Sequence, residues 1–177
     1  MPGALEDVLA ADYLGDLASR PIEELRAMRA ECHEVETGLS YLRRVVQGHL
    51  DIVGMELTRR AAGGEPADVG DLVDQLATVL ADRTLAPGVG RLSQLLAPAA
   101  LDPALEADLD ALVGGGSTVD LSTRDDAELR TLVEGLTVLE ARLSTHRQAL
   151  FGPLDALQDE IARRYRTGEA TVDSLLS

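Results

Sequence analysis

The chain has 177 residues, 45% of them hydrophobic, 27% charged and only 2% aromatic, which is enough for one domain with a core built from Leu, Val and Ala. Such cores are typical of helix bundles and coiled coils. A net charge of −15, with every cation an arginine, repels a phosphate backbone, so direct DNA binding through a broad basic face is not expected, while a basic protein partner suits this surface.

Cys32 is the single cysteine, so no intramolecular disulfide can form and a reducing compartment is the natural reading. Met1 to Asp16 lacks a basic n-region and a continuous apolar stretch, and no segment approaches the length of a bilayer span. The expectation is a cytoplasmic protein without membrane contact.

Leu5, Val8, Leu9 and Leu14 predict a short amphipathic helix at the N-terminus. The first long helix should run from about residue 21 to 62. Ser19 can cap it, Pro21 suits its first turn, Glu23 and Glu24 favour the positive end of its dipole, and Gly63 and Gly64 stop it. Its apolar residues recur in steps of three and four (Leu25, Met28, Cys32, Val35, Leu39, Leu42, Val46, His49, Val53), a heptad seam for a partner helix. Residues 63–119 are broken by Gly and Pro. Short helices are expected at about Val69–Leu80, Gly90–Leu96 and Pro103–Val113, followed by a Gly114-Gly115-Gly116 hinge. A second long helix should run from about 125 to 167, capped by Ser122 or Thr123. Its seam reads Leu129, Leu132, Leu136, Leu139, Leu143, His146, Leu150, Leu157 and Ile161, with a kink expected at Pro153.

The two long helices are near-copies. Aligning Glu36 with Glu140, an offset of 104 residues, matches Leu17/Leu121, Arg20/Arg124, Glu24/Glu128, Leu25/Leu129, Glu56/Glu160, Arg59/Arg163 and Arg60/Arg164 without a gap. Several of these lie off the seam, and an internal duplication accounts for them better than heptad coincidence.

Among the matches is one polar stripe. Glu36, Ser40, Arg43, Gln47 and Asp51 form the pattern E-x3-S-x2-R-x3-Q-x3-D, and Glu140, Ser144, Arg147 and Asp155 repeat it, with Phe151 in place of the Gln. At 100° per residue the five positions fall within an arc of about 80° and span on the order of 22 Å. With Leu39 at heptad position a, Arg43 falls at e, and so does Arg147. In an antiparallel hairpin e faces e, so both stripes would meet on one side. Arginine offers a planar donor fork to phosphate or to guanine O6 and N7, and carboxylates accept guanine N1–H and N2–H2. An anionic, guanine-bearing ligand is one reading. A solvated face with intrahelical ion pairs is the other.

Other constellations carry less. His33, His49 and His146 lack the spacing of a metal site, and Cys32 lies on the apolar face, where packing accounts for it. No metal site and no catalytic residue is expected. Arg59, Arg60, Arg163, Arg164 and Arg166 sit near helix C-termini, where they complement the dipole.

At the stripe the sequence resembles the RsiG family, anti-sigma factors of actinobacteria controlled by cyclic di-GMP. The stretch EVETGLSYLRRVVQGHLDIV, Glu34 to Val53, is similar to that family's ligand signature, and YRTGEATVDSLL, Tyr165 to Leu176, is similar to its tail. The resemblance implies an all-α fold built on an antiparallel two-helix coiled coil, a helical hairpin, with additional short helices. It also implies a dimer of cyclic di-GMP held by Glu36, Ser40, Arg43, Gln47 and Asp51 and by Glu140, Ser144, Arg147 and Asp155. The loaded form would then sequester a sigma factor of the flagellar or sporulation type. Phe151 and Pro153 depart from the signature and predict unequal copies. From the heptads alone, a ligand-independent coiled-coil scaffold for protein partners is the alternative.

Overall fold

The structure, a computed structural model, describes residues 5–64, 101–114 and 121–169. The helices expected at Val69–Leu80 and Gly90–Leu96, the hinge beyond Gly114 and most of the tail lie outside the described residues. All regular structure among those described is helical. The elements are α1 (Leu5–Leu9), α2 (Ile22–Ala61), α3 (Pro103–Val113), α4 (Asp126–Ala149) and α5 (Phe151–Thr167).

Local chemistry sets the boundaries. α2 ends in a Schellman turn: Gly63 takes φ +83° and donates to the Arg60 carbonyl at 2.9 Å, while Gly64 donates to Arg59 at 3.0 Å. α4 begins in a reciprocal capping box. Asp125 accepts from the Glu128 amide and Glu128 accepts from the Asp125 amide, both at 2.8 Å. Asp125 therefore caps this helix in place of Ser122 or Thr123, because the Glu three positions on can answer only Asp125. The expected second long helix is two helices. Proline has no N–H for the Ala149 carbonyl, and α4 ends at Ala149, one turn ahead of Pro153. Leu150 between them keeps helical dihedrals (φ −69°, ψ −20°), so the interruption is shallow.

The chain divides into two compact units, with the dividing lines crossing α2 after Leu42 and α4 after Arg142. The first unit takes the chain up to Leu42 together with Leu143 onward; the second takes Arg43 to Ala97 and Pro103 to Arg142. In the first unit, Arg26 meets Tyr165, Arg29 donates to Gln158 at 2.8 Å and Arg147 reaches Glu36. The partner numbers fall as those of α2 rise, so α2 and the α4–α5 segment run antiparallel there. The same holds in the second unit, where Arg43 meets Glu140 and Arg60 meets Asp126.

The predicted seam is the core of each unit. Leu25, Cys32 and Leu39 are buried with Leu143, Leu150 and Leu157 in the first, and Val46 and Val53 with Leu129 and Leu136 in the second. Val35 and His146 remain partly exposed. Burial of a Leu or Val side chain is worth about 1.5–3 kcal/mol, so these rows, rather than helix propensity, hold the helices in place.

The duplication extends past the long helices. α2 and α4 start at aligned residues, Ile22 and Asp126, and α1 aligns with the last turns of α3, with Leu5 and Leu109 both buried.

Candidate functional site

Each unit places an arginine of one repeat against the glutamate of the other. In the second unit Arg43 Nε donates to Glu140 Oε1 at 2.7 Å, and Gln47 Nε2 donates to the same oxygen at 3.2 Å. In the first unit Arg147 Nε donates to Glu36 Oε1 at 2.7 Å, and Ser40 Oγ donates to that oxygen at 2.7 Å. The pairs thus bridge helices within a unit, unlike the intrahelical pairs of a merely solvated face. Ser144 lies one turn beyond Glu140 on α4, partly exposed. Asp51 and Asp155 are exposed on α2 and α5. Phe151 stands one turn after Arg147, whose guanidinium carbon lies 6.0 Å from the ring centroid.

Burial and charge act in opposite directions on Glu36. Partial burial pushes Glu36 up, but the Ser40 hydroxyl and the Arg147 guanidinium outweigh it and hold the carboxyl below its ordinary range. Glu36 is therefore an anion at neutral pH. The pairs are 23–32% exposed at their side chains, so solvent screening leaves each worth about 1 kcal/mol or less. Ionic partners of that strength exchange readily for another anion.

A second duplicated constellation escaped the sequence reading. Glu56 is fully buried and accepts from both Arg59 and Arg60; Arg60 continues to the carbonyls of Leu121 and Arg124 at 2.7 and 2.9 Å. Its counterpart repeats these contacts: Glu160 accepts from Arg163 and Arg164, and Arg164 continues to the carbonyls of Leu17 and Arg20 at 2.7 and 2.5 Å. The ion pair of Arg60 with Asp126 is not repeated, since Ile22 stands at the aligned position. Arg60 and Arg164 therefore do more than complement a helix dipole: they satisfy the backbone of the bend that leads into the opposite repeat. Burial pushes Glu56 up, yet Arg59 and Arg60 hold it low, and Arg163 and Arg164 bring Glu160 to about 2. The only sequence signal was the conserved register of Glu56/Glu160 with Arg60/Arg164 at the 104-residue offset.

The other candidates resolve simply. Cys32 is buried, its thiol pushed up by burial, and it touches the Tyr13 hydroxyl at 3.7 Å. His49 is buried, and burial lowers its basicity. Among the described residues, no three or more His, Cys, Asp or Glu side chains are grouped to hold a metal ion. No described helix is long and apolar enough to cross a membrane.

Among the described residues all regular structure is helical, and each unit carries one arginine–carboxylate pair that draws on both repeats. The chain belongs to the RsiG-like family, whose sequence profile matches residues 11–80 and 116–177, both repeats included. That family consists of anti-sigma factors, regulators rather than enzymes, and membership implies a sigma-factor partner. No curated protein matches the chain.

Proposed function

We propose that this protein is a cyclic di-GMP-responsive anti-sigma factor that, loaded with a dimer of the dinucleotide, sequesters a sigma factor of the flagellar or sporulation type in the cytoplasm. The observation that carries the reading is the paired arrangement of Arg43 with Glu140 and of Arg147 with Glu36. Each pair presents a guanidinium suited to phosphate or to the guanine O6/N7 edge, and a carboxylate suited to guanine N1–H and N2–H2. Within each pair the two groups neutralise each other. A guanine dinucleotide supplies the partner that each needs, so ligand entry exchanges a weak ion pair for two charge-assisted contacts. Gln47, Asp51, Ser40, Ser144 and Asp155 add hydrogen bonds along the stripe. The acidic surface suits capture of a basic sigma-factor face.

The mutual pairing of Arg43 with Glu140 and of Arg147 with Glu36 also favours a second reading, a helical scaffold whose stripe is purely structural. Calorimetric titration of cyclic di-GMP into the full chain, alone and with the sigma factor, separates the two, with cyclic di-AMP and GTP as controls. The expected outcome is selective, saturable binding that weakens by about 100-fold or more when Arg43 and Arg147 are both changed to Ala. No nucleotide heat in either setting, with sigma capture intact, leaves the scaffold.

A further inference from the structure

Phe151 is the one phenylalanine of the chain, and it is 47% exposed; with Val138 it is one of two large hydrophobic side chains left exposed among the described residues. The core positions around it, Leu150 and Leu154, are filled by other residues, so packing does not account for the ring. It occupies the register that Gln47 occupies in the other repeat, on the polar stripe and one turn beyond Arg147. The Arg147 guanidinium lies 6.0 Å from its centroid while the same side chain donates to Glu36. The first unit therefore groups a cation, a carboxylate and an exposed π-face. Where the second unit adds a side-chain amide to its Arg–Glu pair, the first adds a flat apolar surface.

Those three groups match three different parts of one guanine nucleotide: an anionic or acceptor edge, an N–H donor edge and an aromatic face. Neither a peptide backbone nor an inorganic anion uses all three. We propose that Phe151 is a stacking contact for a guanine base in the half-site of the first unit, and so a residue that sets affinity there; this rests on the cyclic di-GMP reading above. The two half-sites then recognise the base by different physics. Gln47 reads an edge by hydrogen bonding and discriminates through donors and acceptors. Phe151 reads a face, which every base has, so base choice in its half-site falls to Glu36. The substitution of Phe for Gln is thus an exchange of contact type rather than the loss of a contact.

The test uses the full chain, with or without the sigma factor, whichever setting supports wild-type binding. Phe151→Leu keeps apolar volume without the π-face, and Phe151→Trp keeps the π-face. Because the chain contains no tryptophan, Phe151→Trp also installs a single fluorescent reporter. Phe151→Leu is expected to weaken cyclic di-GMP binding by about 5- to 100-fold with helicity unchanged by circular dichroism. Phe151→Trp should bind within about threefold of the wild type and lose emission in step with calorimetric saturation. Wild-type affinity in Phe151→Leu overturns the stacking role while leaving the ligand reading standing. So does calorimetric saturation of Phe151→Trp with no change in emission. Absence of nucleotide binding by the wild type in both settings overturns the ligand reading and the stacking role together.

Discussion

The two units are built from the same parts and differ at a few aligned positions. In the second unit α2 runs unbroken through Gln47 and His49; in the first the aligned positions hold Phe151 and Pro153, and the helix is interrupted at Leu150. The Glu–Arg cluster recurs in both and its arginine reaches carbonyls at aligned positions, with Asp126 added for Arg60 and the Ala18 carbonyl for Arg164. The units also differ where a short segment packs on the long helix. In the first, the Tyr13 hydroxyl donates to Glu31 and to the Met28 carbonyl; in the second, Gly135 at the aligned position lies under Leu112 of α3. The two repeats thus agree in the structural cluster and differ in the stripe and the lateral contacts. At the stripe, water can complete a lost contact, whereas a change in the cluster would strand a buried charge.

The largest effect is expected where the units agree. Arg60→Ala strands a fully buried Glu56 with only Arg59 and leaves the Leu121 and Arg124 carbonyls without this donor. A loss of about 2–4 kcal/mol is expected, read as a fall in thermal midpoint of several degrees. Arg164→Ala should destabilise in the same direction through Leu17, Ala18 and Arg20. If one variant melts like the wild type and the other does not, the equivalence of the clusters is broken.

Acidification should separate the units next. Burial lowers the pKa of His49 below its unfolded value, so the unfolded chain binds the proton more readily. Stability of the second unit is therefore full above about pH 6.5 and falls below it, by at most about 1.4 kcal/mol per pH unit for this one group. Pro153 gives the first unit no matching slope. Hydrogen exchange between pH 7 and 5.5 should show the α2 amides around Val53 losing protection ahead of those in α5, and His49→Leu should abolish the difference. Further down, as pH drops through the depressed values of Glu36, Glu56 and Glu160, both units lose the stability that their carboxylates hold above the usual carboxylate range.

Gly135→Ala should do the least. A Cβ there meets the Leu112 Cδ2 at 2.6 Å, but that atom is the end of a flexible side chain. Relaxing it costs about 1 kcal/mol, and removing a glycine from a helix interior returns about as much. A net change within about 0.5 kcal/mol in chemical denaturation is expected. A large loss would show that the close approach of α3 to α4 depends on the glycine.

Much of this was legible in the amino-acid sequence because it is local. The 3–4 spacing of Leu and Val placed α2 and the seam, and the apolar period placed α3 at Pro103–Val113. The stripe was legible because helical periodicity fixes which residues share a face. What a helix does at its ends was less so: Ser122, Thr123 and Asp125 are all competent caps, and only the Glu128 reply selects Asp125. The break before Pro153 was expected, but its position depends on which carbonyl proline leaves without a donor. Least legible were Arg60 and Arg164, whose acceptors lie 61 and more residues away in the chain. No periodicity encodes such a contact.

Those distant acceptors have a consequence for how the protein is made. Leu121 and Asp126, the partners of Arg60, are synthesised ahead of the rest of α4, whereas Leu17 and Arg20 must wait for Arg164. Synthesis runs from the N-terminus at roughly 5–20 residues per second. The second unit can close its cluster several seconds ahead, and the first joins Leu17 to Arg164, 147 residues further on. Arg147 and Phe151 belong to that late-closing unit. A chain cut short before Arg164 carries one finished cluster and cannot complete the other.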